Sequence, residues 1–186
     1  MLKAGSAVDA TLIEAPSSTK NGSGSRDPEV RSTQKGRDWY FGMKAHVGVD
    51  AESGLVHTVV GTAANVHDIH AALSLLHGEE TDVYADAGYQ GIEKRQQKGS
   101  ARWHVAMRPS KRRQLNLKNR VDAIYDKIER LKAGIRAKVE HPFRILKRQF
   151  GYVKTRYRGL VKNTAQITTL LALGNLWMMR KALHKA

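Results

Sequence analysis

The chain has 186 residues, 41% of them hydrophobic, which is enough for one domain with a real core and too little for two. Its formal net charge of +15 indicates a polyanionic partner. The chain has no cysteine, so disulfides, thiolate catalysis and zinc-finger sites are excluded, and any metal would be held by oxygen or by histidine.

Neither end of the chain carries a targeting or membrane signal. The first ten residues are too short and too polar for a signal peptide. The most apolar run, residues 167–179, contains polar residues and is shorter than the roughly 20 residues that a membrane span needs. We therefore expect a soluble, cytoplasmic protein that does not associate with membranes.

The first predicted strand, residues 7–13, contains Asp9 among apolar neighbours. A carboxylate in such a strand is costly unless it has a partner, so Asp9 either has a specific role or lies on the solvent side of an edge strand. Residues 17–27 contain no apolar side chain, and we expect a mobile loop over 14–37.

A β-hairpin is predicted next. Residues 39–49 are rich in aromatic and β-branched side chains, turn residues follow, and residues 55–62 form the returning strand. Lys44 and His46 fall on the same side of the first strand, because side chains alternate along a strand. They would face either DNA or solvent.

Three histidines surround the next segment, a helix predicted over residues 69–76 and capped by Asp68. His67, His70 and His77 do not have the spacing of a zinc protease motif, so zinc is not predicted for them.

A short apolar strand, residues 83–85, is followed directly by Asp86. Active sites on sheets are commonly built at the carboxyl ends of strands, although Asp86 would also suit a simple helix cap. Asp82 lies at the entry to this strand. A helix is expected from about Ile92, and a further strand over residues 103–107.

The second half of the chain is strongly cationic. Residues 94–158 contain 21 Lys or Arg against 4 Asp or Glu, so their net charge exceeds that of the whole chain. We expect this basic region to face DNA. Apolar spacing predicts helices over 121–131 and 135–150, with a break at Gly134 and a kink at Pro142. A last helix, 163–183, capped by Asn163 or Thr164, is expected to pack on the core.

Within the second of these helices, Arg136, Glu140 and Lys147 share one face, because each residue turns the chain by about 100°. A carboxylate between two cations is either a structural ion pair or a metal ligand beside a bound polyanion. The following segment, 151–159, alternates aromatic and cationic side chains, a composition that suits contacts with phosphates and bases.

Two strand-borne aspartates and a helix-borne glutamate suggest metal chemistry. Mg²⁺ prefers oxygen ligands, and two ions about 3.5 to 4 Å apart can activate the attacking oxygen and stabilise the leaving oxygen of a phosphodiester. Asp9, Asp86 and Glu140 would hold two Mg²⁺ ions, with Mn²⁺ as a substitute. The surrounding cations would add sequence-independent affinity for DNA.

The order of these three carboxylates resembles the DDE transposases of bacterial insertion sequences, in particular the insertion-sequence-five group. Arg136, Glu140 and Lys147 match that family's C-terminal signature, whereas Ala133 occupies the position of its tyrosine. Further matching segments run along nearly the whole chain: Val8-Asp9-Ala10-Thr11, Glu14-Ala15-Pro16, Tyr40-Phe41-Gly42-Met43-Lys44-Ala45-His46, Ala64-Asn65-Val66-His67-Asp68, Ala85-Asp86-Ala87-Gly88-Tyr89 and Asn175-Leu176-Trp177-Met178.

The resemblance implies an α/β fold over residues 1–186, a ribonuclease H-like mixed five-stranded sheet flanked by helices. It implies nicking at the transposon end and attack of the released 3′ hydroxyl on target DNA, with Asp9, Asp86 and Glu140 as catalytic metal ligands. The expected partners are double-stranded DNA and further copies of the chain. His67 and Asp68 are weaker candidates for the rim of the site. The expected DNA-binding residues are Arg136, Lys147, Lys44, His46, Arg144, Arg148, Arg156 and Arg158.

Two other functions remain open. The family usually has an N-terminal helical DNA-binding region, which we expect this chain to lack because Asp9 lies so near its start. The chain would then be either the downstream reading frame of an element that makes its full enzyme by frameshifting, or a truncated copy. One alternative function is a truncated, non-enzymatic DNA-binding remnant that inhibits the full-length transposase. A ribonuclease H-like repair nuclease would share the metals but not the C-terminal signature.

Overall fold

The computed structural model describes residues 5–17, 24–95 and 101–184. Its six strands are β1 (Gly5–Glu14), β2 (Arg31–Lys35), β3 (Asp38–Asp50), β4 (Val56–Ala63), β5 (Asp82–Ala85) and β6 (Arg102–Val105). Its α-helices are α1 (Pro109–Arg112), α2 (Arg120–Arg144) and α3 (Leu160–Leu183). A π-helical turn, Ile145–Gln149, follows α2, and four 3₁₀ turns lie between β4 and β6: Asp68–His70, Ala72–Leu75, Ala87–Tyr89 and Ile92–Lys94.

The strands form one mixed sheet. Strand β1 pairs antiparallel with β3 on one edge and parallel with β5 on the other, and β5 pairs parallel with β6. Strand β4 pairs antiparallel with the second half of β3. The predicted ribonuclease H-like α/β fold, with helices flanking a mixed sheet, is thereby confirmed.

Strand β2 is a sixth strand in a segment where the sequence indicated only a loop. It pairs with the first residues of β3, from Asp38 to Gly42. All of its residues are polar and almost all are exposed, so the segment lacks the alternation of apolar and polar side chains that identifies a strand in a sequence. Within the predicted loop over 14–37, residues 18–23 lie outside the described part of the chain.

The core has a layer on each face of the sheet. On one face, side chains such as Ile13 and Met43 pack with Leu146 after α2 and with Ile167 and Leu171 of α3. On the other face, a second cluster contains Val8, Val83, Ala85, Leu75, Tyr89 and Ile92. Each fully buried apolar side chain of this size stabilises the fold by about 1.5 to 3 kcal/mol.

Helix α2 is continuous where the sequence predicted two helices. Gly134 lies within it and does not break it, because a glycine in an exposed helix costs only about 1 kcal/mol relative to alanine. Pro142 does not end the helix either. The chain widens three residues later into the π-helical turn, in which Phe150 N–H donates to Ile145 C=O at 3.1 Å.

The region between β4 and β6 is less helical than predicted. Two 3₁₀ turns replace the expected helix over residues 69–76. Only a short 3₁₀ turn begins at Ile92, and residues 96–100 lie outside the described part of the chain.

Helix α3 begins at Leu160, before the predicted cap. Its first N–H groups are bound by distant carboxylates: Gly159 N–H donates to Asp27 at 2.7 Å, and Leu160 N–H donates to Glu29 at 2.6 Å. Asn163 instead lies fully buried within the first turn. The helix is only partly a packing helix, since its apolar residues Leu173, Leu176 and Trp177 are exposed. Among the residues described, we find no helix with the length and apolar character that crossing a membrane requires.

Candidate active site

A notch in the sheet brings two of the three predicted carboxylates together. The parallel pairing of β1 with β5 ends at Val8 and Ala85, so Asp9 and Asp86 are the next residues along the two strands. Strand β1 continues to Glu14, whereas β5 ends at Ala85. The side chains at this step therefore face an opening that no neighbouring strand fills.

Asp9 lies partly buried at the base of this notch. Its Oδ1 accepts a hydrogen bond from Ala10 N–H at 2.7 Å, and its Oδ2 lies 3.8 Å from an Arg136 nitrogen. The pKa of Asp9 is raised from 3.8 to about 6, chiefly by burial; the charges of Asp86 and Glu140 also raise it, whereas the Ala10 hydrogen bond and the charge of Arg136 lower it. Burial, more than neighbouring charge, therefore disfavours the ionised form of Asp9 in the metal-free chain.

Asp86 caps the 3₁₀ turn that follows β5. Its Oδ1 accepts a hydrogen bond from Gly88 N–H at 2.8 Å. A Cβ atom at position 88 would lie 2.9 Å from that oxygen and 3.6 Å from an oxygen of Asp68. Gly88 therefore allows the backbone to approach both carboxylates closely. Asp86 therefore caps the turn and also lines the opening, so the two interpretations of this residue are compatible.

Helix α2 supplies the third carboxylate. Glu140 lines the same opening as Asp9 and Asp86, and Arg136 lies one turn before it. Lys147 lies in the π-helical turn and still faces the opening, so the irregular backbone after Pro142 does not remove it from the Glu140 side. Burial, and then repulsion from Lys35, lowers the pKa of Lys147.

The opening is a cleft of about 1030 Å³. Residues of β2 form part of its wall, which the sequence did not indicate, because the strand carries no apolar alternation. The cleft is lined by Asp9, Ala10, Thr11, Leu12, Thr33, Gln34, Lys35, Lys44, Asp68, Asp86, Arg136, Glu140, Phe143, Arg144, Lys147 and Arg148.

Asp68 is a fourth carboxylate at the rim. Lys44 donates hydrogen bonds to Asp68 at 2.9 Å and to Val66 C=O at 2.8 Å, so this lysine is tied to the rim and partly neutralised. The predicted capping role of Asp68 falls instead to His67, whose side chain accepts from Ile69 N–H. His67 does not line the cleft.

The structure contradicts the prediction that His46 binds DNA. Its side chain is fully buried, with Nε2 2.8 Å from Thr62 Oγ1. Burial lowers its pKa to about 4, so the ring is neutral near pH 7. A side chain without solvent access cannot contact a DNA backbone, and His46 is part of the packing below Lys44 and Asp68.

The predicted basic residues divide into two groups. Arg136, Arg144, Lys147 and Arg148 lie in the cleft wall, together with Lys44. Arg156 and Arg158 do not line the cleft. Arg156 lies over the Tyr152 ring, and Arg158 donates to Ser25 Oγ at 3.1 Å.

The donor set of the cleft fits a hard divalent cation. Asp9, Asp86 and Glu140 provide carboxylate oxygens, which Mg²⁺ and Mn²⁺ prefer. A bound cation would favour the ionised form of Asp9, which burial disfavours in the metal-free chain.

Comparison with protein families gives a match over nearly the whole chain. The family described as "Transposase DDE domain" matches residues 2–176. No solved structure matches the chain.

Proposed function

Because the chain belongs to the transposase DDE domain family, we propose that it is a metal-dependent transposase of the insertion-sequence-five kind, which cleaves DNA strands and transfers them to a target. The observation that carries this proposal is the convergence of Asp9, Asp86 and Glu140, which are far apart in sequence, in one open cleft bordered by cations. A nuclease or transferase that acts on DNA needs both features in one place.

The three carboxylates are the proposed metal ligands. Two bound ions would supply the activation of the attacking oxygen and the stabilisation of the leaving oxygen. Asp9, which lines the cleft with the other two carboxylates, would be one of the ligands.

The cations of the cleft are proposed to hold the DNA. Arg136 has a buried Nε with no hydrogen-bond partner among the described residues, and its Nη2 is directed to Asp9. Arg144 and Arg148 are exposed on the same wall and have the reach to bind phosphates along the strand. Together with Lys147, they would place a phosphodiester beside Asp9 and Asp86.

The proposed reaction has two steps. A water molecule attacks the phosphodiester at the transposon end and breaks its bond to the 3′ oxygen, which leaves a 3′ hydroxyl and a 5′ phosphate. The 3′ hydroxyl then attacks a phosphodiester of the target DNA, joins to its phosphorus and releases the target's own 3′ hydroxyl. Both substrates are double-stranded DNA, and joining two DNA ends to one target calls for more than one copy of the chain. We place this activity in the bacterial cytoplasm, where chromosomal DNA lies.

The test is nicking of supercoiled plasmid at low salt with Mg²⁺ or Mn²⁺, and with Ca²⁺ as the inactive-metal control. The native chain should nick the plasmid, whereas Asp86→Asn and Glu140→Gln should not, although both still retard DNA in a gel. Asp82→Asn is the matched control: Asp82 lies at the other end of β5, where it accepts from His104 at 2.7 Å, and its loss should leave nicking intact.

Other outcomes would reject the proposal. Nicking that persists in both cleft variants would assign the activity to another site or to a contaminant. Salt-sensitive DNA binding without metal-dependent nicking would favour the alternative function, a non-enzymatic DNA-binding remnant that inhibits the full-length enzyme.

A further inference from the structure

A second group of possible metal ligands lies away from the cleft. His57 of β4 lies beside His77 and Glu80, which belong to the segment that precedes β5. One ligand atom from each of the three lies within 4.8 Å of the others. None of the three lines the cleft, and the proposed transposase chemistry does not use them.

Glu80 is fixed in position by its own segment. The backbone N–H groups of His77 and Gly78 donate to its two carboxylate oxygens at 2.7 and 2.8 Å, and the Ser6 hydroxyl donates at 3.2 Å. Its side chain is 1% exposed. Oε1 accepts two of these hydrogen bonds and Oε2 accepts one, so the carboxylate is held in place with one lone-pair position unused, on Oε2.

One distance in this group matches the spacing of two ligands on a tetrahedral ion. His77 Nε2 lies 3.4 Å from Glu80 Oε1. Two ligands of a tetrahedral Zn²⁺ with bonds of about 2.0 to 2.1 Å lie about 3.4 Å apart, so this edge already has the required length. The His57 and His77 rings lie edge to face with centroids 5.0 Å apart, and His57 has a ligand atom within 4.8 Å of those of His77 and Glu80.

His57 is oriented as a metal-binding histidine would be. Its Nδ1 lies 2.9 Å from Thr58 Oγ1, and its Nε2 is turned towards the group, 3.0 Å from Ser6 Oγ. Because the Ser6 hydroxyl donates to Glu80, it accepts from His57 Nε2–H in the metal-free chain, and a bound ion would release that proton. Ligating histidines commonly hydrogen-bond through the other ring nitrogen, which fixes their orientation. Gly48 provides the space for the ring, since a Cβ there would lie 2.6 Å from His57 Cε1.

We propose that His57 Nε2, His77 Nε2 and the Glu80 carboxylate bind one Zn²⁺ ion. Two imidazoles and one carboxylate suit a borderline ion such as Zn²⁺ and not Mg²⁺, which prefers oxygen ligands alone. Water would take the fourth position, reached past His77, whose side chain is 13% exposed. The ion would join β4 to the segment that leads into β5, the strand that ends at Asp86. This site goes beyond the proposed function and does not depend on it.

The experiment uses the full chain without a histidine tag, stripped of metal and held in excess Mg²⁺ so that the carboxylate cleft is occupied. Competition with a chromogenic chelator should show one Zn²⁺ per chain. With free Zn²⁺ 100-fold above its dissociation constant, the melting temperature should rise by about 5 to 10 °C.

His77→Gln tests the ligand set with little risk to folding, because this side chain retains solvent contact, and circular dichroism checks the fold. It should abolish the zinc-dependent rise, as should His57→Gln. His70→Gln, which removes an exposed histidine outside the group, should keep the rise in full, and so should Asp86→Asn in the cleft. The proposal is overturned if the native chain shows no rise, if the rise survives in His77→Gln, or if His70→Gln abolishes it equally.

Discussion

Replacing Asp9 with asparagine should stabilise the metal-free chain near neutral pH. Asp9 has a pKa of about 6 in the folded chain against an ordinary value of 3.8, so its ionised form is disfavoured by folding, chiefly because of burial. The difference corresponds to at most about 3 kcal/mol at pH 7.5, since one pKa unit is about 1.36 kcal/mol. Asparagine keeps the shape of the side chain and removes the charge. The melting temperature should therefore rise by about 2 to 10 °C.

The raised pKa also determines how the stability difference between Asp9→Asn and the native chain varies with pH. Below pH 3.8 Asp9 is protonated in both the folded and the unfolded chain, so its ionisation costs no stability there. Between pH 3.8 and about 6 only the unfolded chain releases the proton, so the advantage of Asp9→Asn grows across this range and is constant above it.

The assay is chemical or thermal unfolding in EDTA, from pH 4.5 to pH 8, for the native chain and Asp9→Asn. Asp82→Asn is a control of opposite sign. Hydrogen bonds from His104 and Thr81 lower the pKa of Asp82, so its charge stabilises the fold, and its removal should lower the melting temperature at neutral pH. A destabilised Asp9→Asn, or a gain that does not change with pH, would refute the assignment of a raised pKa to the buried Asp9 carboxylate.

Two further predictions concern single side chains. Gly88→Ala should reduce metal-dependent nicking while the chain stays folded, because the added Cβ would lie 2.9 Å from Asp86 Oδ1 and displace that carboxylate. Nicking equal to that of the native chain would show that the turn accommodates the Cβ without moving Asp86. Asn163→Ala should lower the free energy of unfolding by about 2 to 4 kcal/mol, measured by denaturant titration. The buried Asn163 amide accepts a hydrogen bond from Tyr152 Oη and donates to the Tyr157 and Gly159 carbonyls, and all three groups would lose their partner. A loss below about 0.5 kcal/mol would mean that water replaces these hydrogen bonds.

Local patterns in the sequence predicted most strands and the chemistry of the cleft. Alternating and β-branched residues predicted β1, β3 and β4 to within a residue or two of their observed ends. The basic second half and the order of Asp9, Asp86 and Glu140 indicated a DNA-processing site, and all three carboxylates line one cleft. These features could be predicted because a side chain's alternation, spacing and charge depend on its neighbours in sequence.

The predictions failed where distant segments decide the structure. The sequence indicated a cap at Asn163, whereas Asp27 and Glu29, from the other end of the chain, bind the N–H groups at the start of α3. Strand β2 exists because β3 offers it a partner, although its own residues are polar. His46 looked available to DNA by alternation alone, since alternation gives the face of a strand and not what covers it.

The sequence by itself determined which residues carry charge, which segments extend and which carboxylates stand in the order of the family's motif. Only the tertiary structure decided their distances: the register that places Asp9 beside Asp86, the wall that β2 adds to the cleft, and the meeting of His57 with His77 and Glu80. The physical reason is that propensity and periodicity act over a few residues, whereas register and side-chain contacts are set by packing between segments that the sequence separates.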